Sequence, residues 1–257
     1  MKRGRLKVIL LGATGRIGTG FVEEYFNNKN YQKKYELILG VHNKKFRSKN
    51  FKVRYTLIEN IKTLNKAFNR VDVVVNLAAN PDPEAEFNDL IKPNIIGAYN
   101  VFEAARISGC KRVIFASSVH AIGGYGHGYE IKASDAPKPI DLYGASKVFG
   151  EALCYTFFSN YGLSCLAIRI GAYTSNDQMR NVCFSRHDYD HVISQRDMGQ
   201  LINKCIIAPA KIKYGILSGI SNNKKKDMDL KLAKKLVNYV PKDDAYILCK
   251  QIKKPAK

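Results

Sequence analysis

Tyr143 and Lys147 stand four residues apart in Asp141-Leu-Tyr-Gly-Ala-Ser-Lys-Val-Phe-Gly150. On a helix that gap stacks a phenol and an ammonium on one face. A nearby cation stabilises the phenolate and draws the phenol down from its ordinary pKa of ~10. A phenol tuned in this way can take a proton from an alcohol or return one to a carbonyl. A second signal opens the chain: Gly12-Ala-Thr-Gly15-Arg-Ile-Gly18 follows the apolar run Leu6–Leu11 and leads into Ile17, Phe21, Val22 and Tyr25 at helical spacing. Gly12 permits a tight turn, Gly15 lets backbone approach a pyrophosphate, and Gly18 lets helix and strand pack closely. The first amides of the helix then face the phosphates. The two signals together point to nicotinamide-dependent proton and hydride chemistry.

The end of the second strand supplies a carboxylate to the adenosine ribose in many NAD binders. Here it reads Leu39-Gly-Val-His42-Asn-Lys-Lys-Phe-Arg47, with no carboxylate. His42, Lys44, Lys45 and Arg47 would tolerate a 2′-phosphate, so the expected cofactor is NAD or NADP, with these surroundings leaning to NADP.

Elements that position such residues are legible in the apolar pattern. Short β-branched runs alternate with amphipathic stretches, which predicts repeated βαβ units: an α/β fold with a Rossmann-type doubly wound parallel sheet of about seven strands. The strands are expected at Leu6–Leu11, Glu36–Val41, Lys52–Leu57, Val71–Leu77, Arg112–Ala116, Ser164–Ile170 and Lys213–Leu217. Helices are expected near Ile17–Asn27, Ile61–Asn69, Pro93–Ser108, Tyr143–Asn160 and Gln195–Ile207. Gly109 and Gly162 fall where helix-ending glycines belong. Residues 1–171 read as the dinucleotide-binding part carrying the chemistry. Residues 172–257 read as a small substrate-binding part that returns one strand to the sheet. Tyr173–His191 lacks periodicity and reads as a lid or pocket wall. A helix near Asp229–Tyr239 and a loose basic tail from about residue 240 close the chain.

The 257 residues carry a net charge of +20. Lys224–Lys257 accounts for only seven of that surplus, through eleven lysines and four aspartates, so there is no discrete basic arm to bind nucleic acid. The six cysteines have neither Cys-x-x-Cys nor finger spacing, and no stretch nears the ~20 apolar residues of a membrane span. Free thiols in a soluble, cytoplasmic protein are the expectation, with no membrane or nucleic-acid partner. His187-x-x-x-His191 has one-turn spacing but no evident third ligand, so no metal is expected. His127, among the glycines of 123–128, reads as part of a pocket loop.

Gly12–Gly18, Asn76-Leu-Ala-Ala79, Asn94-Ile-Ile-Gly97, Phe115-Ala-Ser-Ser118 and Tyr143-x-x-x-Lys147 resemble the extended short-chain dehydrogenases/reductases, the NAD-dependent epimerase/dehydratase group. Within that group the stretches from Asn94, Phe115 and Tyr143 look most like uronate dehydrogenases. The resemblance implies that Tyr143 is the acid/base, that Lys147 binds the nicotinamide ribose and tunes the tyrosine, and that Ser118 holds the reacting oxygen, with Ser117 its buried neighbour. It further implies cofactor contacts from Gly12, Thr14, Gly15, Arg16, Ile17, Gly18, His42, Asn43, Leu77, Ala78, Ala79 and Asn94, besides Tyr143 and Lys147. Ser118, His120 and either Arg180 or Arg186 would meet the substrate, the arginine by pairing with a sugar carboxylate. A homodimer through the helices Pro93–Ser108 and Tyr143–Asn160 is implied as well.

The sequence departs from the uronate dehydrogenase pattern in three places. Val119 stands where an asparagine follows the second serine, Ala172 where a small polar residue is usual, and Thr56 where an acidic residue meets adenine. The expected function is an NAD(P)-dependent oxidoreductase acting on a sugar or uronate hydroxyl. A nucleotide-sugar epimerase or dehydratase and a nonenzymatic dinucleotide sensor are the alternatives.

Overall fold

The computed structural model describes residues 4–126, 128–185 and 189–253. The chain begins with β1 (Leu6–Leu11), α1 (Arg16–Asn27), α2 (Lys29–Lys34), β2 (Tyr35–Val41), β3 (Lys52–Tyr55), α3 (Ile61–Ala67) and β4 (Val73–Asn76). Next come α4 (Phe87–Leu90), a π-helical turn (Ile91–Ile96), α5 (Gly97–Ile107), β5 (Arg112–Ser118) and a 3-10 turn (Val119–Ile122). The second half holds α6 (Leu142–Tyr161), β6 (Ser164–Ile170), β7 (Ala172–Thr174), α7 (Met179–Ser185), β8 (Val192–Ser194), α8 (Gln195–Ile206), β9 (Tyr214–Gly219), α9 (Lys231–Val237) and α10 (Ala245–Ile252).

Seven strands pair in the order β3-β2-β1-β4-β5-β6-β9, and every pairing is parallel. Parallel strands need crossover helices, which cover both faces, so alternate side chains are buried on opposite sides. Val8 and Leu10 join one apolar core while Ile9 and Leu11 join the other. The order reverses between β1 and β4, and a crevice opens there at the carboxyl edge of the sheet. That is where open α/β sheets hold their ligands.

The seven expected strands are present, Leu6–Leu11 and Ser164–Ile170 with the expected bounds and the other five with shifted ends. The expected helix 93–108 is not one regular helix: its first turn is π-helical, and α5 starts only at Gly97. The aperiodic stretch 173–191 contains β7 and α7, and β7 pairs with β8 in a separate two-stranded parallel sheet.

Two expectations are corrected. The segment beyond residue 240 is not a loose tail, because α10 packs on α7 and β8 in one apolar cluster that includes Met179, Tyr189, Val192 and Ala245. This docking brings together two of the cysteines expected to be free, and Cys183 and Cys249 form a disulfide across 66 residues. Periodicity cannot show such a pairing, because it depends on a tertiary contact between distant helices. Cys110, Cys154, Cys165 and Cys205 remain free and buried.

What fixes the site is the seating of α6 on β5. Gly150 lies directly over the Phe115 ring, where an added Cβ would stand 2.0 Å from a ring carbon. Nearer the start of α6, a Cβ on Gly144 would stand 2.3 Å from the carbonyl oxygen of His120. Asp141 caps α6, its Oδ1 accepting from the Gly144 N–H at 2.6 Å. Behind this contact, Arg169 of β6 donates to both oxygens of Glu151 of α6 at 2.9 Å, and Ser117 Oγ donates to Glu151 at 2.6 Å. Helix and two strands are thereby locked in one register. Gly150→Ala should lower stability by about 1–3 kcal/mol, because Phe115 is enclosed and cannot move aside freely. Urea denaturation checks it; an unchanged midpoint would show that the helix tolerates a larger separation.

Candidate active site

A cavity of about 910 Å³ lies along the carboxyl edge, from the glycine turn to the start of α6. Gly12 has φ +73°, the left-handed region that favours glycine. A Cβ on Gly18 would stand 2.2 Å from the Gly12 carbonyl oxygen, so only glycine lets α1 begin so close to β1. Among the described residues no side chain caps the start of α1, where Gly15 is the N-cap. Its first amides are therefore available to an anion. Arg16 also lines the cavity, donating through Nη2 to the Tyr173 carbonyl oxygen at 2.6 Å, and this ties the turn to β7.

Thr14, Ile17, His42, Leu77, Ala78 and Ala79 line the same cavity. Asn43 and Asn94 do not. Asn43 Oδ1 accepts from the Lys45 N–H at 2.9 Å within its own turn. Asn94 bonds both backbone groups of Asn80, at 2.8 and 3.0 Å, and donates to Ser146 Oγ at 2.9 Å. It braces the loop after β4 against α6 from beneath the site. Of the basic residues near the end of β2, only His42 reaches the cavity. Lys44 lies over the Tyr55 ring, 5.0 Å from its centroid. Arg47 donates to the carbonyls of Lys44 and Phe46.

The wall also holds a carboxylate that the sequence did not single out. Glu59 follows β3, three residues beyond Thr56, and lines the cavity. Its Oε2 is buried with no hydrogen-bond partner among the described residues. A buried carboxylate oxygen wants N–H or O–H donors, and the adenosine part of a dinucleotide offers both. This orphaned acceptor, the glycine cradle and the open helix start all fit a dinucleotide. Its position at the carboxyl edge between β3 and α3 is the signal that could have found it. His191, which precedes β8, also lines the cavity.

At the far end Ser118, His120, Tyr143 and Lys147 converge. Ser118 ends β5, and Tyr143 and Lys147 occupy successive turns of α6. Tyr143 is 9% exposed and Lys147 5%. Lys147 Nζ lies 5.3 Å from the centroid of the Tyr143 ring and 5.4 Å from that of Phe115. Burial pushes the Tyr143 phenol above its ordinary value, the hydrogen bond with Ser118 pulls it back, and the Asp141 carboxylate pushes it up. Lys147 is not among these influences, which corrects the expectation of a lysine-acidified phenol in the ligand-free protein. The reason is the same burial, which drives the ammonium itself down to about 8. Ser117 is buried against Glu151. Arg180 does not line the cavity, and its guanidinium lies 5.8 Å from the Phe184 ring centroid. Arg186, His187 and His127 lie outside the described residues. Val119 and Ala172 do line the cavity.

The profile of the NAD dependent epimerase/dehydratase family matches residues 8–207, and the chain belongs to that family. A uronate dehydrogenase of Pseudomonas syringae pv. tomato is 34% identical over 164 residues, covering 64% of this chain and 57% of that protein. An NAD-dependent glucose-6-phosphate dehydrogenase of Haloferax volcanii is 30% identical over 194 residues, 71% of this chain and 72% of its own. The chain thus spans less than two thirds of the first relative and more of the second. In three dimensions it is similar to the uronate dehydrogenase of Agrobacterium tumefaciens, solved as a Y136A mutant complexed with NAD. The TM-score is 0.82 at 26% identity, over 99% of this chain and 92% of the other.

Lys147 gives the sharpest test of the burial argument. Its folded pKa of about 8 lies below the unfolded value, so the fold binds fewer protons than the unfolded chain between roughly pH 8 and ~10.4. Stability therefore rises with pH across that window, and below it the cost of charging the buried amine is present in full. Lys147→Met should stabilise the ligand-free protein at pH 7 by up to about 3 kcal/mol, an advantage that shrinks by pH 10. Thermal unfolding at both pH values checks this; a less stable variant at pH 7 refutes it.

Proposed function

We propose that this chain is an NAD-dependent dehydrogenase that oxidises a hydroxyl of a sugar or sugar acid, with Ser118, Tyr143 and Lys147 as its catalytic residues. The carrying observation is that these three side chains line one continuous cavity with the glycine turn. The dehydrogenase names of its relatives support the same reading. A nicotinamide dinucleotide, when held by the glycine turn, supplies the acceptor for the carbon-bound hydrogen.

Proton handling and positioning fall to the chain itself. Tyr143 first gives up its own proton to solvent and then, as the phenolate, takes the hydroxyl proton, while Ser118 holds the same oxygen by hydrogen bonding and Lys147 supplies positive charge beside both. Burial strengthens each of these interactions by excluding water. The arrangement β7–α7–β8, with Ala172, Thr174, Val182 and His191 in the cavity wall, forms the substrate side within residues 172–257. Arg180 lies off that wall, so Arg186 is the remaining candidate of the two for receiving a carboxylate.

NAD is the preferred cofactor in this reading. Glu59 places a carboxylate in the wall, where a 2′-phosphate would be repelled, and Lys44, Lys45 and Arg47 do not reach it. A pair of chains joined through α5 and α6 would cover the exposed Ile96, Tyr99, Ile107, Tyr155 and Tyr161.

A panel of neutral aldoses and uronates, assayed with both dinucleotides, tests the proposal. Sugar-dependent reduction should be at least tenfold more efficient with NAD than with NADP, and Glu59→Gln should narrow that gap. Tyr143→Phe should bind dinucleotide normally and lose activity by about 10²-fold or more, while sedimentation of the same samples shows a dimer. Dinucleotide binding without any reduction would favour a sensor. A dinucleotide that copurifies and stays bound through turnover would favour an epimerase or dehydratase.

A further inference from the structure

We infer that Asp141 is a positioning residue that fixes the tautomer of His120, so that Nε2 faces the cavity as a hydrogen-bond acceptor. Asp141 does two things at once. Its Oδ1 caps α6 at the Gly144 N–H, and its Oδ2 lies 2.6 Å from His120 Nδ1. An ionised carboxylate only accepts, so the hydrogen of that contact sits on Nδ1. In the neutral ring Nε2 is then left with its lone pair.

The residue is held on further sides. The backbone N–H of His120 donates to Ser118 Oγ at 3.2 Å, and the ring meets Tyr143 edge-on, centroids 5.4 Å apart at 74°. The His120 carbonyl rests against Gly144, which has no room for a Cβ. The same short segment therefore starts the helix that carries Tyr143 and aims the imidazole beside it. His120 lines the cavity, and Nε2 makes no hydrogen bond to another described residue.

An acceptor next to the catalytic phenol selects a particular chemistry. A substrate hydroxyl can donate to Nε2, whereas a carboxylate would be repelled by the lone pair. With one hydroxyl on Ser118 and Tyr143, a second on a nearby carbon reaches His120. The substrate class is then a polyol or sugar with neighbouring hydroxyls, orientated by the second one. This identity of the ligand rests on the sugar-dehydrogenase reading; the tautomer does not.

Nitrogen-15 NMR of protein labelled in its five histidines reads the tautomer directly, with His120→Gln to assign the resonances. Wild type should show hydrogen on Nδ1. Asp141→Asn keeps a side chain able to cap α6, but its amide donates to Nδ1 and moves the ring hydrogen to Nε2. That variant should raise the KM for sugar about tenfold, the effect of one lost hydrogen bond, with dinucleotide affinity within twofold of wild type. Asp141→Ser, another capping residue, should keep the melting temperature within a few degrees and lose the fixed tautomer. Hydrogen on Nε2 in wild type overturns the inference, and so does an unchanged tautomer in Asp141→Asn. An inverted tautomer with an unchanged KM overturns the role of Nε2 toward substrate. If no variant turns over any sugar, the sugar reading fails, and the tautomer shift still upholds the assignment of Asp141.

Discussion

Everything at the chemical end depends on how closely α6 approaches β5. Two glycines make that approach possible, Gly144 against the His120 carbonyl and Gly150 against the Phe115 ring. Close seating removes water from the strip between helix and strand, and Tyr143 and Lys147 lie within it. The Arg169–Glu151 pair behind them is bidentate and fully desolvated. A buried ion pair of this kind adds little net stability against the cost of dehydration. What it provides is register, since Glu151 also accepts from Ser117, the neighbour of Ser118.

Burial also decides the protonation of the resting site. A cation near a phenol lowers its pKa only while it remains charged and near the oxygen. Here both groups are dehydrated together, so the phenol moves up and the ammonium moves down. Asp141 pushes in the same direction on Tyr143. The resting site therefore favours a neutral phenol, and Lys147 sits between two aromatic rings with little to oppose its loss of charge. Such a site is organised in geometry before it is organised in charge.

Much of this was legible in the sequence. Doubly covered parallel strands are continuous apolar runs, so Leu6–Leu11 and Ser164–Ile170 were found to the residue. The glycine turn is legible because its strand and helix context is local. Features made by distant contacts were not. The Cys183–Cys249 bond and the packing of α10 arise between helices far apart in sequence. The apolar pattern continues through Ile91–Ile96, and it is blind to the change from π-helical to α-helical winding. Arg180 has the right charge in the right loop, but its helix directs it to Phe184. Asn94 and Glu59 show the same limit from opposite sides: the family resemblance implied a ligand contact for the first, nothing in the sequence singled out the second, and packing assigns each its surroundings.

The most direct test of the central claim is an ultraviolet difference titration of the ligand-free protein against Tyr143→Phe, which isolates one phenol among fifteen tyrosines. If burial governs the site, the Tyr143 midpoint lies above the ordinary value of ~10. A midpoint between pH 7 and 8 would contradict it, and would mean that Lys147 remains charged and close enough to acidify the phenol without any ligand.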